Sequence, residues 1–203
     1  MPNYPVVNIV VDVESGTLAP DTREDGTVIG LTPQAREDYL LKAGQAVAEF
    51  AEKGIPTIWI KLFPRQSPPL SPAELQDEQS IDEAIGRTPD SATFRKNGFD
   101  AFADGINING ASLYEYLENL GARHLTVMGG NADVCVLATA IGGVRNGYRT
   151  TILSDMLIGR NNLNGENSIN ETKIKDTLAK ILTEPDALRT DNHPLKDMAA
   201  SLN

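Results

Sequence analysis

An alternation constrains this chain more than any other feature. Four short apolar runs, "VVNIVVD" (6–12), "IPTIWIKL" (55–62), "HLTVMGG" (124–130) and "TTILSD" (150–155), are separated by stretches whose apolar residues recur at helical spacing. Between the first two runs, Ala35, Tyr39, Leu40, Ala43, Ala46, Val47 and Phe50 trace one face of a helix, with Thr32 and Pro33 as its cap and first position and Gly54 as its stop. "ASLYEYLENLGA" (111–122) and the stretch from Val134 to Gly147 supply two more helices. Apolar strands without a polar alternation are buried on both faces, and helices between them make the sheet parallel. The expected fold is α/β: three layers, doubly wound and Rossmann-like, a mainly parallel sheet with helices on both faces and the order 3-2-1-4-5.

Weaker signals extend the pattern. "SATFR" (91–95) predicts a strand ending before Lys96, and "DALRT" (186–190) a last edge strand after a helix over 168–182. Residues 13–31, the Pro-rich and acidic 64–90 and the Asn-rich 157–167 read as long loops. Each follows a strand, so all three leave the C-terminal edge of the sheet, where open α/β folds place their ligands.

The 203 residues, 40% of them hydrophobic, suffice for one core, so a single domain over 1–203 is expected. A net charge of -10 opposes binding to nucleic acid or an anionic membrane surface. There is no long apolar run for a membrane span, and "MPNYPVVNIVVDVES" carries no basic, signal-like region. One cysteine excludes an internal disulfide and fits a reducing compartment, so a cytoplasmic protein is expected.

That cysteine, Cys135, follows the "HLTVMGG" strand and opens a helical stripe of Val134, Leu137, Ala138 and Ile141. In a first helical turn, unpaired N–H groups favour a thiolate, which predicts a lowered pKa, and can also stabilise an oxyanion. Taken alone, the residue reads as well as a buried structural thiol. Asp12 ends the first strand and Lys96 follows the third, so with Cys135 three reactive side chains stand at corresponding ends of parallel strands.

"IVVDVES", "FRKNGFDAF" and "VMGGNADVCVLATAIGGVRNGYRTTILSD" together resemble, in order and interval, three motifs of the isochorismatase-like cysteine hydrolases. The resemblance runs from about residue 5 to 156 and implies a triad of Asp12, Lys96 and Cys135. It also implies a cis peptide between Gly130 and Asn131, with an oxyanion hole from the N–H groups of Asn131 and Cys135. The chain departs from the family where Glu14 replaces a common Gln. Leu62 and Pro64 stand where the family's nicotinamidases carry metal ligands, so no metal is expected. His124 begins its strand at the opposite edge and His193 lies in the tail, which leaves no Cys–His dyad. No G-x-G-x-x-G follows the first strand, so no dinucleotide cofactor is expected.

Leu18, Trp59, Phe63, Arg65, Phe99 and Arg160 fall on or beside the loops that should ring the site and are candidate substrate contacts. The leading expectation is a metal-independent, cofactor-free cysteine hydrolase that cleaves a C–N bond of a small amide, carbamoyl or ureido compound through a thioester. The alternatives are a vinyl-ether hydrolase of the isochorismatase type, which would not need Cys135, and a non-catalytic interaction protein of the same fold. The expected partner is a small-molecule substrate. Gly142 and Gly143, inside a helix, suggest close packing on the sheet or on a second subunit, and the resemblance implies a homo-oligomer.

Overall fold

The computed structural model describes residues 5–22, 28–62, 71–159 and 188–191. In chain order they form β1 (Val6–Val11), α1 (Ser15–Leu18), β2 (Asp21–Thr22), β3 (Val28–Ile29), α2 (Pro33–Glu52), β4 (Thr57–Leu62), α3 (Pro72–Ala84), β5 (Thr93–Lys96), α4 (Ala101–Asp104) and β6 (Ile106–Asn107). After these come α5 (Leu113–Leu120), β7 (His124–Gly130), a π-turn (Ala132–Val136), α6 (Leu137–Arg145), β8 (Arg149–Ile158) and β9 (Leu188–Asp191). The main sheet has the order β6-β5-β4-β1-β7-β8-β9. Only β6 pairs antiparallel within it. The five strands β1, β4, β5, β7 and β8 thus take the expected 3-2-1-4-5 order, and β6 and β9 extend it at the edges.

Each face of the sheet carries its own apolar layer. Val7, Ile9, Val11, Ile58, Ile60, Phe94, Leu125 and Val127 pack under α4, α5 and α6. Val10, Trp59, Met128 and Leu153 pack under α2, together with Leu18, Ile81 and Ile85. The period-two alternation of strand side chains produces this division. Helix α2 starts where the sequence indicates, with the Thr32 hydroxyl accepting from the Ala35 N–H and Pro33 in the first turn. The two helix glycines are explained by contacts within the chain. A Cβ on Gly142 would stand 2.3 Å from Asp100 Oδ1, and one on Gly143 3.0 Å from both Leu125 Cδ1 and Thr150 Oγ1.

Three expectations need correction. Within 64–90, residues 72–84 are helical rather than a loop: Ser71 and Glu74 form a reciprocal capping box with Pro72 in the first turn. Only Ile81 of that helix is buried, so its apolar periodicity is too thin to read, although the Ser-x-x-Glu cap was legible. The segment 13–31 holds α1 and the β2–β3 hairpin. Strand β8 runs past Asp155 to Ile158, through an irregularity in its pairing with β7 between Val127 and Gly129. The expected helix over 168–182 and the Asn-rich loop from residue 160 lie outside the described residues. Among the described residues, no helix is long and apolar enough to cross a membrane.

Candidate active site

At the C-terminal edge of the sheet, Lys96 Nζ lies 2.8 Å from Asp12 Oδ2 and also donates to the Gly98 carbonyl at 3.2 Å. Both side chains are buried, Lys96 completely. Strand alternation places Lys96 on the Phe94 face, but it would send Asp12 to the opposite face with Val10. The backbone of Asp12 breaks the alternation: its φ of 47° is left-handed, the sole such value at a non-glycine among the described residues. Asp tolerates this region better than most residues do. Burial raises the Asp12 pKa, and the Lys96 charge and hydrogen bond oppose the rise.

Cys135 is the fourth residue of the π-turn that leads into α6, and it is buried. The turn is entered through a cis peptide between Gly130 and Asn131. The Asn131 carbonyl accepts from Val134 N–H at 3.1 Å and Val136 N–H at 3.2 Å, which ties the turn to its entrance. The thiol lies against both Asp12 and Lys96, through charge and hydrogen bonding with each. Oδ1 of Asp12, buried and with no hydrogen-bond partner of ordinary geometry, has that thiol as a polar neighbour. The thiol pKa moves opposite to the sequence expectation. Burial first, then the Asp12 charge, push it up to about 11, and Lys96 opposes them without prevailing. Desolvation thus outweighs the pull of the ammonium.

A ladder of ion pairs, which the sequence did not announce, stands beside these three residues. Lys61, on β4, contacts Glu78 Oε2 at 2.8 Å and Asp82 Oδ1 at 3.2 Å, both on α3. Arg87 closes on the far side of Asp82. Glu78 Oε1 accepts from the Ser15 N–H at 2.7 Å and its hydroxyl at 2.6 Å, fastening α3 to the segment after Asp12. Glu14, two residues after Asp12, is half-buried and feels the charges of both the ladder and the Asp12–Lys96 pair. Its pKa is pushed up to about 7, by burial first and then by the charges of Asp12 and Glu78.

The candidate substrate contacts are scattered. Leu18 and Trp59 are buried in the apolar layer under α2, where they pack and offer no surface to a ligand. Their proximity in sequence to the loops hid that they point into the core. Phe99 is exposed on the turn after Lys96. Phe63, Arg65 and Arg160 lie outside the described residues. His124 is buried at the opposite edge, its Nε2 2.8 Å from Thr151 Oγ1.

The described residues do not fit a metal of the nicotinamidase kind. No three His, Cys, Asp or Glu side chains among them cluster to hold one. The acids that face the end of β4, Glu78 and Asp82, hold the Lys61 ammonium instead.

The profile of the Isochorismatase domain matches residues 7–185. No curated protein sequence matches the chain. Among solved structures, an isochorismatase family protein from Burkholderia thailandensis is similar at a TM-score of 0.59 and 18% identity, over 94% of each chain. N-carbamoylsarcosine amidase from Thermoplasma acidophilum gives 0.59 and 17%, over 95% of this chain and 96% of its own. The nicotinamidase of Staphylococcus aureus gives 0.55 and 18%, over 90% and 97%. At such identities the structures speak for a shared fold, while the profile covers most of the chain. The chain belongs to the isochorismatase-like hydrolase family.

Proposed function

We propose that this protein is a cysteine hydrolase that cleaves a C–N bond of a small amide, carbamoyl or ureido compound, with Asp12, Lys96 and Cys135 as its catalytic residues. The observation that carries the reading is the contact of the one thiol in the chain with a buried carboxylate–ammonium pair. A buried structural cysteine would gain nothing from two charged neighbours, whose desolvation is costly.

The chemistry follows from the pKa directions. At rest the thiol keeps its proton. As Sγ attacks the substrate carbonyl, that proton passes to Asp12, a base strengthened by burial. The N–H groups of Asn131 and Cys135 are the candidate donors to the oxyanion. The tetrahedral adduct collapses to a thioester, and Asp12 returns the proton to the departing nitrogen, which leaves as ammonia or an amine. Asp12 then takes a proton from water, whose oxygen attacks the thioester. When the C–S bond breaks, that proton returns to Sγ. Throughout, Lys96 favours the charged form of Asp12.

The test is an ammonia-release screen across small amides, carbamates and ureas, with the Cys135→Ala protein as control. Turnover abolished by the substitution supports the reading. Full turnover in the alanine protein, or ammonia released from none of these compounds while a vinyl ether added to the panel is hydrolysed, defeats it.

A further inference from the structure

Of the buried residues of α6, Leu137, Thr139, Ala140, Ile141, Gly142 and Gly143, Thr139 alone has a polar side chain, and it is completely buried. A threonine inside a helix ordinarily turns its hydroxyl to the carbonyl four residues back, which here belongs to Cys135. Thr139 reaches out of its helix instead. Its Oγ1 accepts from the Ala101 N–H at 3.3 Å and donates to the Phe99 carbonyl at 3.5 Å. Asp100, between those two residues, fits over Gly142, where a Cβ would stand 2.3 Å from its Oδ1. Positions 139 and 142 share a helix face, so residues 99–101 are docked on one side of α6.

Both ends of this contact lead to the site. Gly98, next to Phe99, is the residue whose carbonyl accepts from Lys96 Nζ at 3.2 Å. At the other end, Cys135 lies four residues before Thr139, in the turn that opens α6. An ammonium on a flexible four-carbon stem is placed by its acceptors more than by its own backbone. For Lys96 these are Asp12 Oδ2 and the Gly98 carbonyl.

We propose that Thr139 is a positioning residue, whose hydroxyl holds the Gly98 carbonyl, and through it the Lys96 ammonium, in place beside the Cys135 thiol. The proposal rests on the cysteine-hydrolase reading for the reaction it serves, and it goes beyond that reading by naming a residue that touches none of the reacting atoms. Loss of the hydroxyl leaves the Ala101 N–H and the Phe99 carbonyl without this partner, and the segment that carries the lysine's second acceptor is no longer fastened to the helix of the nucleophile.

The test removes the hydroxyl in two frames, Thr139→Val against the wild type and Thr139→Ala against Thr139→Ser, so that each comparison changes little else. Turnover is measured on the best substrate of the ammonia-release screen, and the pH midpoint of Cys135 alkylation by iodoacetamide on the same four proteins. In each frame the protein without the hydroxyl is expected to lose about three- to tenfold in kcat with KM nearly unchanged. Its alkylation midpoint is expected to rise by about half a unit, because a displaced ammonium favours the thiolate less. A purely structural hydroxyl would leave that midpoint where it is. Equal kcat within both frames, a loss confined to KM, or an unmoved midpoint overturns the proposal, as does failure of both Thr139→Val and Thr139→Ala to fold. If the wild type releases ammonia from none of the compounds, the hydrolase reading fails and the alkylation arm judges Thr139 alone. A midpoint raised by loss of the hydroxyl and kept by serine then supports the positioning role, and equal midpoints overturn it.

Discussion

Lys96 meets Asp12 across an intervening strand. The two belong to the ends of β5 and β1, with β4 between them, yet Nζ and Oδ2 are 2.8 Å apart. Neighbouring strands are about 4.8 Å apart, so the gap is roughly two spacings, a span that an extended lysine side chain and a short carboxylate can bridge together. A shorter cation could not make the contact from this position.

Removing one partner of this pair strands the other in the core. Lys96→Ala is expected to destabilise the protein by about 3–5 kcal/mol, because an uncompensated buried carboxylate remains. Adding Asp12→Asn should recover much of that loss. Denaturant unfolding of both single variants and the double variant measures the coupling, and additive losses would show that the pair is not energetically linked.

Cys135 should react slowly with alkylating reagents near neutral pH. A rise from an ordinary 9.0 to about 11 lowers the thiolate fraction about a hundredfold at neutral pH. Because the folded state holds the thiol neutral, its contribution to stability is present below pH 9 and is lost as the pH climbs from 9 through 11. Iodoacetamide kinetics, and unfolding of wild type against Cys135→Ala over that range, check both statements. Alkylation faster than that of free cysteine at pH 7 would show that Lys96 outweighs burial.

Asp104 holds the turn that seats Lys96. Its Oδ2 accepts from the Asn97 N–H at 3.0 Å and the Gly98 N–H at 2.6 Å, while the Gly98 carbonyl receives Lys96 Nζ. Asp104→Ala is expected to lower kcat about tenfold with little change in KM, and Asp104→Asn, which keeps an acceptor, to restore most of it. Equal loss in both variants would assign Asp104 a role other than accepting these two bonds.

Gly142→Ala should run against the helix scale. In an open helix position the change stabilises by about 1 kcal/mol. Here the new methyl meets Asp100 Oδ1 at 2.3 Å, and overpacking of that kind costs about 1–3 kcal/mol. The second substitution Asp100→Ala should relieve part of the cost in thermal unfolding. A stabilised single variant would mean that Asp100 yields freely.

The core strands were legible because burial on both faces writes continuous apolar runs, as in "VVNIVV" and "HLTVM". Asp12, Lys96 and Cys135 were legible because each ends a strand or stands in the turn that follows one, and each falls within a motif. Helix α3 was not, since it is held to the site by the Lys61, Glu78 and Asp82 ion pairs, and charged contacts leave no periodicity. Leu18 and Trp59 were misread for a related cause: sequence gives distance from a loop, whereas the face of the sheet decides whether a side chain meets ligand or core. The direction of the thiol shift depends on desolvation in three dimensions, which spacing along a chain does not record.

Gly129 stands where β7 runs against the end of β1. Its φ is 115°, and a Cβ there would fall 2.1 Å from the Val11 carbonyl oxygen. Val11 immediately precedes Asp12, and Gly129 lies six residues before Cys135. Any side chain at 129 must therefore push apart the two backbones from which the carboxylate and the thiol project. In a saturation-mutagenesis map, this chemically inert position should look as intolerant as the reactive ones. The spacing of the site is inherited partly as an atom that is missing.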